Sequence, residues 1–272
     1  MKILFILILN LIFQSVHAES FITKIHSIEY STTPGIPHLV KFVNGRVGFL
    51  EQENSLRDKS LLTSKKQLEI FLDEKNTLIS IKKSLDHHNQ FTSYINNEDS
   101  MPFDPSEISE DEASAIFNRM RIDFQYHSEC YNRAHVWSYE EFQRSGLKSM
   151  KLFMFFTSKY IYRYRYQWWF HVTPMAYLKN SNKQMITLDR RFTKKPLLVK
   201  DWSDNFIYSK RECPLVKKYS DYSDHQTEED CFLLPVSMYF WQPRDIEYFE
   251  QTGIEKKEFI TSELNWAYNE AF

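Results

Sequence analysis

The sequence predicts an α+β protein, with a small β-rich unit ahead of a larger domain of helices packed on an antiparallel sheet. Three observations carry this. Residues 36–43 and 46–50 flank Asn44-Gly45, a pair that tolerates the positive φ of a tight hairpin turn. Apolar residues then recur at helical spacing after Ser109 and again after Ser128. From Leu152 the period returns to two, and a helix followed by an antiparallel meander is α+β architecture.

The elements follow in order. Residues 67–72 and 77–81 alternate around 73–76 as the first hairpin does, so 19–88 reads as a β-rich N-terminal domain. Residues 89–108 are polar, contain Pro102 and Pro105, and lack periodicity; they are assigned to a linker. Asp86-His87-His88 offers adjacent histidines without a third ligand at metal-binding spacing, and is read as solvated chain.

The domain 109–272 opens with Ser109 and three acids suited to the positive end of a helix, with Ala113, Ile116, Phe117 and Met120 on one face. A second helix is expected from a Ser128 cap, which puts Cys130 in its first turn; Gly146 closes it. Strands are expected over 152–157, 168–178 and 185–192, with 158–166 an aromatic and basic connection. A helix over 198–208, a strand over 236–241 and helices over 243–251 and 262–272 complete the chain.

Residues 1–18 begin with Lys2, run apolar from Ile3 to Phe13 apart from Asn10, and end Val16-His17-Ala18. That pattern predicts a signal peptide cleaved near Ala18, too short to span a bilayer, which takes ~20 apolar residues. The mature chain is expected to be secreted or periplasmic, without stable membrane insertion. With 42% hydrophobic and 16% aromatic residues it can bury a sizeable core. A formal net charge of -2 gives no reason to expect nucleic acid as a partner, and the Tyr and Arg alternation of 160–166 is read as a cleft rim or packed hairpin.

The chain has 3 cysteines. Cys213 and Cys231 flank a polar loop that a disulfide closes usefully outside the cytoplasm, which leaves Cys130 over. A thiol attacks as thiolate, and a helix N-terminus favours that form. Such a nucleophile also needs a base. His135 lies about 140° around the helix from Cys130 and points away, so the better candidate for the base is His171, from strand-like sequence. The acceptor that fixes its tautomer is Asp189 on the next strand. A hairpin turn centred near Asn180 sets His171 directly opposite Asp189, whereas a centre at Ser181 to Asn182 offsets them.

Cys130-Tyr-Asn-Arg-Ala-His135, with Trp169-Phe-His171-Val-Thr-Pro174 and Leu188-Asp189, resembles the motifs of the secreted protein-glutaminases over roughly residues 110–210. The resemblance implies a transglutaminase-like (papain-like) core in which Cys130, His171 and Asp189 deamidate glutamine side chains of proteins, with no cofactor or metal. It also makes 19–88 a candidate pro-segment and His135 a structural residue. The connection 158–166 and the final sixty residues have no counterpart in it. Transglutaminases and papain-like proteases use the same constellation and differ in which amide is attacked or what resolves the thioester. The reading of another class is a non-catalytic exported binding protein, with Cys130 inert, His171 a core histidine and Asp189 a turn cap.

Overall fold

Gly45 takes a φ of 88° at the tip of the expected hairpin. The computed structural model describes residues 19–52, 61–63, 67–83, 103–179, 182–222 and 227–272. The expected signal peptide, most of the linker, His87 and His88, and Asn180 and Ser181 in the turn lie outside them. The first six strands are β1 (Glu19–Thr23), β2 (Ile25–Glu29), β3 (His38–Phe42), β4 (Val47–Leu50), β5 (Leu68–Leu72) and β6 (Leu78–Lys83). They form two antiparallel sheets, β2-β3-β4 and β1-β5-β6. Val40, Phe42, Leu50, Leu68, Ile70 and Leu72 form a small core of their own, the alternate positions of period-two sequence facing inward.

The larger unit contains β7 (Glu107–Ile108), α1 (Glu110–Arg119), α2 (Cys130–Ser145), β8 (Met150–Phe156), α3 (Ser158–Tyr164) and β9 (Phe170–Leu178). It continues with β10 (Met185–Thr187), β11 (Leu197–Leu198), α4 (Val199–Ser203), β12 (Cys231–Ser237), α5 (Pro243–Thr252) and α6 (Thr261–Ala271). Its sheet runs β11-β10-β9-β8-β12 with antiparallel pairing, and β7 adds parallel to β9. Helix α1 starts at a Ser109 capping box completed by Glu112, and α2 ends at Gly146 with φ 71°. Strands β8 and β9 are buried almost throughout, which is why their sequence is a continuous apolar run.

Several expected elements are revised, and the strand expected over 236–241 runs instead over Cys231–Ser237. Residues 107–108, assigned to the linker, are β7 of the main sheet. The connection 158–166 is largely helix α3: Thr157 caps it by accepting from Tyr160 N at 3.3 Å, and Arg165 ends it at φ 48°. Tyr160 and Ile161 are buried on this turn, so the Tyr and Arg alternation reflects packing. The third strand stops at Thr187, leaving Asp189 beyond it, and the helix expected over 198–208 covers only 199–203. Cys213 and Cys231 are bonded, and the bridge ties the loop to the first residue of β12.

The two units share a core, with Leu39, Val47 and Phe49 joining the apolar cluster of the larger one. Contact concentrates on residues 167–169, just ahead of β9. Trp169 N donates to Gly45 O at 2.8 Å, Trp169 Nε1 to Phe42 O at 2.7 Å, and Val47 N to Gln167 O at 3.1 Å. His26 stacks on the Trp169 ring at 4.5 Å. Lys41, buried and paired with Glu29 at 2.7 Å, lies over the rings of Trp169 and Tyr222.

Candidate active site

Cys130 is the first helical residue of α2. Its cap is Glu129, not the expected Ser128, and Glu129 makes no side-chain cap bond. The Ser128 hydroxyl is engaged elsewhere, donating to Gln125 O at 2.8 Å and accepting from Arg133 Nη1 at 3.1 Å. The first-turn N–H groups, which have no intrahelical acceptors, nevertheless lie at Cys130 as the sequence predicts.

Strand β9 brings His171 to the same place. The Val172 backbone, one residue past His171, hydrogen-bonds the Cys130 sulfur, and Cys130 and His171 line one cavity of about 310 Å³. His135 lies elsewhere: it is buried with Nδ1 2.6 Å from Lys151 Nζ and packs against Phe259. Burial, and then the neighbouring Lys151 and Lys256 charges, hold its pKa well below the ordinary value, so it is a neutral core residue.

His171 Nε2 lies 2.7 Å from Asp189 Oδ2. The pairing register between β9 and β10 sets Thr187 against Met175 and Met185 against Tyr177. Extended along the strand, that register puts Asp189 level with Thr173, two residues from His171. Of the two turn centres, the structure therefore has the offset one. The side chains still meet because positions two apart share a sheet face and a diagonal pair is within reach of long side chains. The bond uses Nε2 and not Nδ1.

Sequence reasoning missed Trp202. Its Nε1 donates to the same Asp189 Oδ2 at 2.9 Å, and its ring stacks on His171 at 5.7 Å. Phe192 and Phe206 enclose the imidazole further, at ring separations of 5.0 and 4.5 Å. No spacing in the sequence marks these residues; α4 and the turn after Asp189 place them. That turn is held by Phe192 N and Thr193 N donating to Asp189 O at 3.1 and 2.9 Å.

Burial pushes the Cys130 thiol up to about 12. Arg133 and the Val172 hydrogen bond oppose the rise, while Glu129 and Asp189 add to it. The expected thiolate is therefore not the resting form in this closed arrangement, because desolvation outweighs the helix terminus. Glu129 is affected similarly: burial, opposed by Arg46 and Arg133, pushes its carboxyl up to about 8. Part of Glu129 reaches solvent, but its Oε2 is enclosed without a hydrogen-bond partner. Among the described residues no group of His, Cys, Asp and Glu could hold a metal ion. No helix among them is long and apolar enough to cross a membrane.

A helix-borne thiol against an antiparallel sheet that carries an imidazole, with a carboxylate just past its third strand, fits a transglutaminase-like α+β fold. Residues 90–206 match the model of a family described as glutaminase. A mutant of pro-protein-glutaminase shares the fold at a TM-score of 0.51 and 13% identity, covering 84% of this chain and 86% of that one. Pro-protein-glutaminase itself aligns at 0.49 and 13%, covering 83% and 84%. Protein-glutaminase from Chryseobacterium proteolyticum aligns at 0.37 and 14%, covering 59% and 84%. No curated protein matches the sequence.

Proposed function

We propose that this protein is a glutaminase that deamidates glutamine side chains of proteins or peptides through Cys130, His171 and Asp189. The observation that carries the reading is the 2.7 Å bond from His171 to Asp189 on the wall of the cavity that Cys130 also lines. When the carboxamide enters, the thiol proton passes to His171 Nδ1 and the sulfur attacks the carboxamide carbon. The N–H groups at the start of α2 stabilise the developing oxyanion. The imidazolium protonates departing ammonia, then the neutral ring activates water against the γ-glutamyl thioester, releasing glutamate and restoring the thiol. Asp189 holds the imidazole orientation and stabilises its charged form throughout.

The packing of 19–83 on the segment that leads into His171 supports the reading of this unit as a pro-segment. The leader at 1–18 and the disulfide support an exported enzyme that matures outside the cytoplasm. The test is incubation with a casein-like substrate. Ammonia release without crosslinks or new chain ends is expected; crosslinked products would make it a transglutaminase and new termini a protease. Failure of a Cys130→Ser chain to lose activity would remove the mechanism.

A further inference from the structure

The catalytic cavity opens into a second groove of about 640 Å³, and Arg133, Gln167, Trp168 and Phe192 line both. Arg133 is buried, and Nη1 is occupied by Ser128, but Nε has no partner. Arg191 is exposed at the rim; among the described residues its hydrogen bond is a long 3.5 Å contact to Tyr126 O. Among the described residues neither arginine forms an ion pair, and each guanidinium stands close enough to feel the other's charge. Two like charges beside a nucleophile, with the nearby Asp189 carboxylate committed to His171 and Trp202, favour an anionic ligand.

The acids that share the groove do not fill that role. Glu19 is paired with Arg46, and both belong to the N-terminal unit. Glu129 is held protonated near neutral pH by its enclosure. The surrounding surface is apolar: Tyr126 and Phe192 on this groove and Tyr208 on the catalytic cavity are exposed at 81%, 50% and 61%. Phe192 touches His171 on one side and the Arg133 guanidinium, at 5.8 Å, on the other. An extended segment whose glutamine reaches Cys130 therefore runs its neighbouring residues past the two arginines.

We propose that this groove binds an acidic side chain adjacent to the target glutamine, with Arg133 and Arg191 receiving the carboxylate and Phe192 and Tyr126 packing its stem. The inference rests on the deamidase reading and adds its substrate class: glutamines flanked by Asp or Glu.

The test uses the chain after protease has cut within 84–102 and two sets of glutamine peptides that differ only in carrying Glu or Lys next to the glutamine on either side. The kcat/KM for deamidation is expected to favour the Glu peptides by roughly tenfold, about 1.4 kcal/mol. Raising ionic strength should erode the preference, since the Debye length is already ≈ 8 Å at 0.15 M. Arg191→Glu should invert the ratio. Equal rates for the two sets, or a ratio that R191E leaves unchanged, overturn the inference while leaving deamidation intact. If no peptide is deamidated the function reading fails. Affinities of the same peptides for a Cys130→Ala chain then decide the groove, equal binding of Glu and Lys peptides sinking it. Stronger competition by a single-stranded oligonucleotide than by the Glu peptide would also overturn it.

Discussion

At Asp189 two N–H groups converge on one oxygen, His171 Nε2 at 2.7 Å and Trp202 Nε1 at 2.9 Å. A carboxylate fixed from two directions cannot rotate without losing a charged hydrogen bond, each worth about 1.5–3 kcal/mol. The indole thus acts on the imidazole through the carboxylate. Trp202→Phe keeps the ring on His171 and removes the donor. Steady-state kinetics should show kcat reduced roughly ten- to hundredfold with KM little changed. Asp189→Asn should cost roughly 10²- to 10⁴-fold in kcat by disturbing the tautomer. A native circular dichroism spectrum should accompany both losses, and an unaltered kcat in both would remove Asp189 from the chemistry.

At the scale of elements, the site is the meeting of a helix start with a strand. The position of Cys130 was legible because helical periodicity after Ser128 leaves little freedom in where the helix begins. The pairing of His171 with Asp189 was legible as a shared sheet face, because parity survives either register. The register itself was not: the polar turn residues 179–183 suit either centre, and the structure takes the offset one. Helix α3 escaped notice because alternating Tyr and Arg resembles a strand rim as closely as a helix, and buried contacts of Tyr160 with Phe156 and Tyr166 decide between them. Trp202 and Phe206 came from tertiary approach alone, which no local pattern encodes.

The same helix start carries a pH dependence. Glu129 has a carboxyl raised from its ordinary 4.5 to about 8, so the folded chain holds a proton that an open chain loses. Its contribution disfavours the closed form progressively as pH rises from 4.5 to 8, then levels off. His26, lowered to about 4 by burial and then Lys41, opposes closure as pH falls from 6.5 towards 4. Between pH 6.5 and 8 the Glu129 slope therefore stands without that of His26. Thermal unfolding should show a midpoint whose slope with pH across that interval is more negative in the native chain than in Glu129→Gln. Identical slopes in the two proteins would show that Glu129 is already ionised at neutral pH.

Over the whole molecule, the N-terminal unit and the main domain share apolar core, and the Lys41–Glu29 pair of the N-terminal unit is buried under the Trp169 and Tyr222 rings of the main domain. Breaking that pair by Lys41→Met leaves Glu29 without its buried cation, and is expected to destabilise the chain by roughly 3–5 kcal/mol in urea denaturation. Alkylation of Cys130 by iodoacetamide should be slow in the intact chain and accelerate once protease cuts within 84–102 and the unit departs. The central claim is that one buried thiol becomes an acyl carrier for glutamine. Its most direct measurement is mass spectrometry of the proteolysed protein, quenched in acid while turning over a glutamine peptide in heavy-oxygen water. The account predicts a γ-glutamyl adduct on the Cys130 peptide and glutamate product carrying the heavy oxygen. Glutamate formed at an undiminished rate by Cys130→Ser, with no adduct on the native chain, would contradict it.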